Sequence, residues 1–223
     1  MCGIVGIASK LAVGNQRWLS SAIDTLGHRG PDGIGEWWSP DLRVGLGHTR
    51  LAVLELSHAG HQPMHLYGLS IVFNGEIYNH SDLRVELSEH GFVFHSHSDT
   101  EVLLAAYAVW GQDCLARLNG MFAFALYDAR RQRVFLARDR AGEKPLFYHL
   151  AEGTLHFSSE LKALMADPAL PRRINPDSLD CYLAMGYVPG ERCILEGYNK
   201  LPPGHALSFD LQCGTAEVWT MNT

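Results

Sequence analysis

Apolar residues follow two spacings along the chain, and these predict short strands mixed with a few helices. Residues 3–8 form an apolar run without polar alternation, which is typical of a strand buried on both faces. Residues 121–127 alternate large and small apolar side chains, so we expect that strand to lie between two layers. Further strands are predicted at 44–56, 70–73, 92–94, 133–138, 146–150, 154–158 and 206–210.

Helices are indicated where apolar residues repeat every three or four positions and where a capping signal precedes them. Ser98 and Glu101 match a capping box, in which the two side chains bond each other's backbone N–H groups. Asn175 before Pro176 is typical of an N-cap followed by the first helical residue. Helices are therefore predicted at 16–26, 81–90, 99–110, 160–165 and 176–184.

Helices and strands are interspersed along the sequence, and several strands are apolar on both faces. A strand of that kind needs packing partners on each side, so sheets should stack on each other with helices outside. The pattern alone therefore predicts the α+β fold class. The chain has 223 residues, of which 47% are hydrophobic, and this is sufficient to bury such a core.

Charge, hydrophobicity and cysteine usage argue against several kinds of partner, membrane insertion, disulfides and zinc sites. The net charge is −6, from 18 basic and 24 acidic residues, and no basic run appears, which argues against nucleic acid and membrane partners. No apolar stretch approaches about 18 residues, so no transmembrane helix is expected. The five cysteines are scattered and form no CxxC pairs, which argues against disulfides and zinc. Reduced thiols and the lack of a secretory signal predict a cytoplasmic protein.

Cys2 directly follows the initiator Met1 and is the first candidate for chemistry. Removal of Met1 would leave one residue with both a thiol and a free α-amine, whose pKa of about 7.7–8.0 suits a base near neutrality. Such an amine can take the thiol proton during nucleophilic attack. The alternative is that Cys2 is an incidental small hydrophobic residue.

Three further polar sites lie at predicted strand ends or helix starts. Arg50 could bind a carboxylate through two parallel hydrogen bonds, or form a structural ion pair. Asn74 and Gly75 could form an oxyanion hole, but the pair is also typical of a turn with positive φ that ends the preceding strand. Asp99 could bind a substrate ammonium, or favour the start of the helix through its charge.

Metal and ATP sites have little support in the sequence. His58, His61 and His65 have a spacing that could suggest a metal, but Gly60 and Pro63 break any helix there and no thiol is near in sequence. We therefore predict no metal site. Neither a P-loop nor a Ser-Gly-Gly-x-Asp-Ser pyrophosphate loop is present, so no motif supports ATP binding.

An ordered set of short motifs covers nearly the whole chain. Each motif is weak alone, but their joint order is specific. The set comprises MCGIVG at 1–6, RGPD at 29–32, GHTRL at 47–51, AGHQPM at 59–64, FNGEIYN at 73–79, SDTE at 98–101, NGMFA at 119–123, RDR at 138–140 and GEKPL at 142–146. It resembles the glutaminase domain of glutamine-dependent asparagine synthetases, which are class II glutamine amidotransferases within the N-terminal nucleophile hydrolases.

The resemblance implies a four-layer α-β-β-α sandwich of two mainly antiparallel sheets. It implies that Cys2 attacks the side-chain amide of glutamine, while the Asn74 side chain and the Gly75 N–H stabilise the oxyanion. Arg50 would hold the substrate's α-carboxylate, and Asp99 its α-ammonium. The glutamine pocket would also be lined by Leu51, Val53, Leu54 and Glu76.

The resemblance further implies that the whole reaction is divided between two parts. Residues 1–190 would form the glutaminase domain, and 191–223 a boundary segment leading towards a synthetase domain that is absent here, or towards a separate synthetase chain. ATP and Mg would bind only in that synthetase part, so no cofactor is expected in this chain. Ammonia released from glutamine would pass to this partner, and a homodimer is compatible with the family.

Two other hypotheses stay open on the sequence alone. The chain could be a non-catalytic module that senses glutamine or binds a partner. It could also be an N-terminal-cysteine amide hydrolase with another substrate. The ammonia acceptor is open as well, because related amidotransferases modify acceptors other than aspartate.

Overall fold

Two antiparallel sheets of six strands form the centre of the protein in the computed structural model, which describes residues 1–221. The strands are β1 (Gly3–Ser9), β2 (Gly33–Trp38), β3 (Val44–Arg50), β4 (Met64–Leu66), β5 (Leu69–Ile77), β6 (Gly120–Asp128), β7 (Arg133–Arg138), β8 (Phe147–Ala151), β9 (Thr154–Ser158), β10 (Tyr198–Lys200), β11 (His205–Asp210) and β12 (Thr215–Thr220). The first sheet has the order β10-β8-β9-β1-β3-β2, and the second has the order β12-β11-β7-β6-β5-β4.

Helices cover the outer face of each sheet, and three hydrophobic cores separate the resulting layers. The helices are α1 (Arg17–Asp24), α2 (His80–Glu89), α3 (Asp99–Trp110), α4 (Leu161–Leu164) and α5 (Pro176–Met185), with 3-10 turns at His58–Gly60 and Gly111–Ala116. In β1, Ile4 packs between the sheets while Val5 packs towards α1 and α4. In β6, Ala125 packs between the sheets while Phe124 packs towards α3. The predicted α-β-β-α sandwich is confirmed.

The four strands that the hydrophobic pattern did not predict are β2, β4, β10 and β12. They are the outermost strands of the two sheets, where fewer side chains are buried and the apolar signal is weak. The predicted strand at 44–56 ends at Arg50, and residues 92–94 form no strand. Most interior strands carry a stronger apolar signal, because both of their faces are covered.

The start of α3 follows the capping prediction only in part. The Ser98 hydroxyl accepts a hydrogen bond from the Thr100 N–H at 3.1 Å, as an N-cap should. Glu101 does not return a bond to Ser98. Its carboxylate accepts from the N–H groups of His95 and Ser96, both at 2.8 Å, because the chain before the helix folds back over its first turn.

Residues 191–221 are built into both sheets. Strand β10 pairs with β8, and β11 pairs with β7 and β12. That this segment leads towards a further domain stays a prediction. Within residues 1–221, none of the helices combines the length and apolar character that a bilayer crossing requires.

His156, on β9, makes stability sensitive to acid. Burial lowers its pKa to about 4, although Asp167 nearby opposes this shift. Its ring meets the Trp18 ring edge to face at 5.1 Å. In the unfolded chain the pKa is about 6.5, so between about pH 6.5 and pH 4 only the unfolded chain binds the proton. We therefore expect the free energy of unfolding to fall as the pH drops through this window.

Urea unfolding of the wild type and H156F at pH 7 and pH 5 measures this contribution. The fall in unfolding free energy between the two pH values should be smaller in H156F by about 2 kcal/mol. The exposed His90, replaced by phenylalanine, is the matched control and should leave the fall unchanged. An unchanged fall in H156F would show that other groups cause the acid sensitivity.

Candidate active site

A cavity of about 240 Å³ lies where β1, β3 and β5 meet the start of α3. The pairing of Gly3 with Thr49 sets the residue before β1 beside the end of β3, and β5 faces both strands from the other sheet. The fold thus brings together residues that are far apart in sequence. All the site residues predicted above line the cavity, namely Cys2, Arg50, Leu51, Val53, Leu54, Asn74, Gly75, Glu76 and Asp99.

The Cys2 thiol is held at the floor of this cavity by backbone contacts. The Leu51 N–H donates to its sulfur at 3.4 Å, and the Leu51 carbonyl lies 3.6 Å from the sulfur. Arg29 Nε donates to the Cys2 carbonyl oxygen at 2.9 Å, and its Nη1 donates to Glu160 at 2.8 Å. Burial raises the pKa of the Cys2 thiol more than these neighbours lower it. The thiol therefore needs a base to become nucleophilic near neutrality.

Met1 occupies part of the same cavity. Its sulfur lies 3.6 Å from Lys144 Nζ, and the residue is 57% exposed. While Met1 is attached, the Cys2 nitrogen is a peptide amide without a basic lone pair. Removal of Met1 would uncover an amine next to the thiol and clear space in the cavity.

Asn74 and Gly75 lie inside β5 and do not end it. They pair in register with Ala123 and Phe122 of β6, and neither has a positive φ, so the predicted turn is wrong. Gly75 is required by the close approach of β6, because a Cβ there would lie 2.2 Å from the carbonyl oxygen of Met121. The Asn74 side-chain Nδ2 is buried and has no hydrogen-bond partner among the described residues. An unpaired buried donor costs about 1–3 kcal/mol, which a bound acceptor would relieve.

Arg50 lies at the end of β3, where its guanidinium lines the cavity. In this structure it donates to the carbonyl oxygens of Glu55 and Ser57, the latter at 2.9 Å. No carboxylate of the described residues lies within salt-bridge distance, so the structural ion pair considered above is not formed. Gly60 leaves room for the guanidinium, since a Cβ there would lie 2.6 Å from Arg50 Nη2.

Asp99 is the first residue of α3 and is 5% exposed. Its Oδ2 accepts from the Ile77 N–H of β5 at 3.0 Å. Burial raises the pKa of this carboxyl, although the bonds from the backbone oppose the shift. Asp99 therefore joins the helix to the strand that carries Asn74, and it lines the same cavity as the basic Arg50.

Sequence reasoning predicted none of the other polar residues that line the cavity, which are Glu55, Ser98, Thr100 and the pair Gln62 and Lys144. Both belong to motifs quoted above, but nothing in the pattern indicates what their side chains contact. Gln62 is bonded to Phe73 and Thr100, and Lys144 reaches Met1. The structure brings no three His, Cys, Asp or Glu side chains of residues 1–221 into an arrangement that could hold a metal ion. His65, from the histidine spacing considered earlier, lies 2.8 Å from Ser70.

Comparison with known proteins agrees with this picture. Residues 1–220 match the family described as glutamine amidotransferase domain. Asparagine synthetase (glutamine-hydrolyzing) 3 of Bacillus subtilis is 41% identical over 217 residues, covering 94% of this chain and 35% of that protein. Putative asparagine synthetase (glutamine-hydrolyzing) 2 of Methanocaldococcus jannaschii is 36% identical and covers 95% and 44%. Amidase chry2 of Gibberella zeae is 36% identical and covers 85% and 28%.

The fold is shared with a glutamine phosphoribosylpyrophosphate amidotransferase of B. subtilis, at a TM-score of 0.70 and 19% identity. That likeness covers 100% of this chain and 50% of the other. The chain thus spans less than half the length of the curated relatives named above. The match over nearly every residue shows that the chain belongs to the glutamine amidotransferase domain family.

Proposed function

We propose that this chain hydrolyses the side-chain amide of glutamine to glutamate and ammonia through a thioester on Cys2. The observation that carries the proposal is the convergence of a thiol, an unpaired amide donor and two opposite charges in one cavity. Those groups match the parts of glutamine: an amide carbon to attack, an oxygen that becomes negative, and an amino acid's two charged ends.

The reaction begins once Met1 has been removed. The free α-amine of Cys2 takes the thiol proton while the sulfur attacks the amide carbon, so that a C–S bond forms and the carbonyl π electrons move to oxygen. Burial raises the pKa of the thiol, which favours transfer of its proton together with the attack.

The oxyanion that forms is stabilised by hydrogen bonds from the Asn74 side chain and the Gly75 N–H. Collapse of the intermediate expels the nitrogen, which takes the proton from the α-ammonium of Cys2 and leaves as ammonia. Water then attacks the thioester, with the α-amine as its base. This step releases glutamate and returns the proton to the sulfur.

Glutamine is held by its two charges. Arg50 exchanges its bonds to the loop carbonyls of Glu55 and Ser57 for the substrate's α-carboxylate, which a guanidinium can bind through two parallel bonds. Asp99 accepts the α-ammonium. The walls between these two charges are formed by Leu51, Val53, Leu54 and Glu76.

The use of the released ammonia is inferred from the names and lengths of the relatives. Relatives named glutamine-hydrolyzing asparagine synthetases are more than twice as long. We therefore propose that the ammonia serves an asparagine-synthetase-type reaction in a synthetase domain or chain, and that ATP and Mg bind there.

Glutamate release from glutamine by the Met-processed chain tests the proposal directly, and no release would overturn it.

D99N is expected to raise KM for glutamine about tenfold or more, since it removes a buried charge that pairs with the ammonium. KM of the wild type should also rise in acid, where the carboxyl of Asp99 becomes protonated. D82N, in the exposed first turn of α2, is the matched control and should leave KM unchanged. An unchanged KM in D99N would show that the charge of Asp99 does not bind glutamine.

A further inference from the structure

We propose that Gln62 is a positioning residue that holds the oxyanion segment of β5 and the ammonium-binding start of α3 in one fixed relation. This inference rests on the proposed glutaminase activity. Gln62 precedes β4, is 6% exposed and lines the cavity, yet the reaction described above does not use it.

The Gln62 side chain bridges two elements. Its Oε1 accepts from the Phe73 N–H of β5 at 2.6 Å, and its Nε2 donates to the Thr100 hydroxyl of α3 at 3.3 Å. The orientation of the amide is set because a backbone N–H can only donate. Both partners are direct neighbours of proposed site residues, since Phe73 precedes Asn74 and Thr100 follows Asp99.

Phe73 needs such a partner because its strand neighbour has ended. Strand β4 pairs with β5 only as far as Met64 and Ile71. Beyond that point the Phe73 N–H is satisfied by Gln62, and its carbonyl oxygen lies 3.2 Å from His48 Nε2. That ring nitrogen must carry the proton, since a carbonyl can only accept. Side chains thus replace the missing strand one residue before Asn74.

The backbone of Gln62 is fixed by its contact with β2. A Cβ at Gly35 of β2 would lie 1.8 Å from the Gln62 carbonyl oxygen, so β2 packs directly against it. The second link between α3 and β5 is the bond from the Ile77 N–H to Asp99. With Gln62 in place, the strand is tied to the helix on both sides of Asn74 and Gly75. The distance between the oxyanion donors and the ammonium site is then set by two side-chain bridges.

Two substitutions at Gln62 separate positioning from simple stability. Methionine keeps the length, but its thioether is only a weak acceptor for the Phe73 N–H and cannot donate to Thr100. Glutamate can accept from the Phe73 N–H and from the Thr100 hydroxyl, at the expense of a buried charge. Q62M is expected to lower kcat about tenfold, because oxyanion donors act only when well placed. Q62E should stay within about threefold of the wild-type kcat while its Tm falls.

Steady-state kcat and KM, together with Tm for each variant, show whether Gln62 positions the site or only stabilises the fold. If activity follows Tm in both variants, or if Q62M keeps the wild-type kcat and KM, the inference is wrong. Q132M, which removes an amide in the β6–β7 turn at the other end of β6, is the matched control and should keep both constants.

T100V is a milder variant should Q62M fail to fold, because it removes only the far hydroxyl of the bridge. It is expected to raise KM about threefold with little change in kcat, since it loosens α3 and leaves the Phe73 bond intact. Unchanged constants in T100V would overturn the inference. If the wild type itself releases no glutamate, the proposed function is wrong. If the wild type turns glutamine over and the Gln62 and Thr100 variants have the same kcat and KM, only the proposed role of Gln62 is wrong.

Discussion

Replacing Cys2 with alanine is expected to abolish glutamate release from glutamine, and a chain that keeps Met1 is expected to be just as inactive. The first change removes the sulfur that forms the thioester. The second keeps the sulfur but removes the base, because the Cys2 nitrogen is then an amide and burial keeps the thiol protonated. A fall in kcat of about 10⁴-fold or more is expected for each, as for loss of one member of a nucleophile–base pair.

The effect of a blocked Cys2 nitrogen can be measured with one polypeptide. It carries an N-terminal extension and a site for a protease that cuts directly before Cys2. The uncut protein has a blocked nitrogen, and the cut protein is its matched control, with the intact mass confirming the new first residue. Glutamate should be released only after cutting. Equal turnover by the uncut protein would show that another group is the base, and turnover by C2A would exclude the thioester.

The same proteins separate an enzyme from a glutamine-binding module. C2A keeps Arg50 and Asp99, so calorimetry should show that it binds glutamine although it turns none over. A sensing module would behave differently, since the cut protein with intact Cys2 would bind glutamine and also release no glutamate.

The fold was predictable where burial is complete and unpredictable where it is partial. The runs at β1 and β6 are apolar on both faces because each faces a sheet on one side and helices on the other. The outermost strands lack that signal, and β12 is mostly exposed. The Asn-Gly pair in β5 was misleading for another reason. Pairing with β6 overrides the local preference for a turn, and the glycine is needed for close approach instead.

The site was predictable as a set of residues but not as a set of contacts. The ordered motifs identified the residues that now line one cavity. They could not indicate that Arg50 donates to the carbonyls of its own following loop, or that Gln62 ties β5 to α3. Those contacts join groups that only the folded chain brings within reach, and most of the partners are backbone groups, which every residue type carries.

Removing the Asn74 amide is expected to lower kcat for glutamine about 10²–10³-fold, with KM changed far less. That is the usual effect of losing one oxyanion donor, which acts on the transition state and hardly on bound substrate. Steady-state kinetics of N74A measure the split. N199A, on β10 of the other sheet and outside the cavity, is the matched control and should keep both constants.

Stability should move the opposite way, and this separates a catalytic amide from a structural one. Asn74 Nδ2 is buried without a partner, so its removal ends a desolvation penalty and breaks no bond of its own. N74A should therefore unfold at a Tm equal to or above that of the wild type while its kcat falls. A joint loss of Tm and activity would instead mean that the side chain supports the strand. A rise in KM alone would mean that its amide binds glutamine before the reaction and not the oxyanion, because only an interaction specific to the transition state lowers kcat.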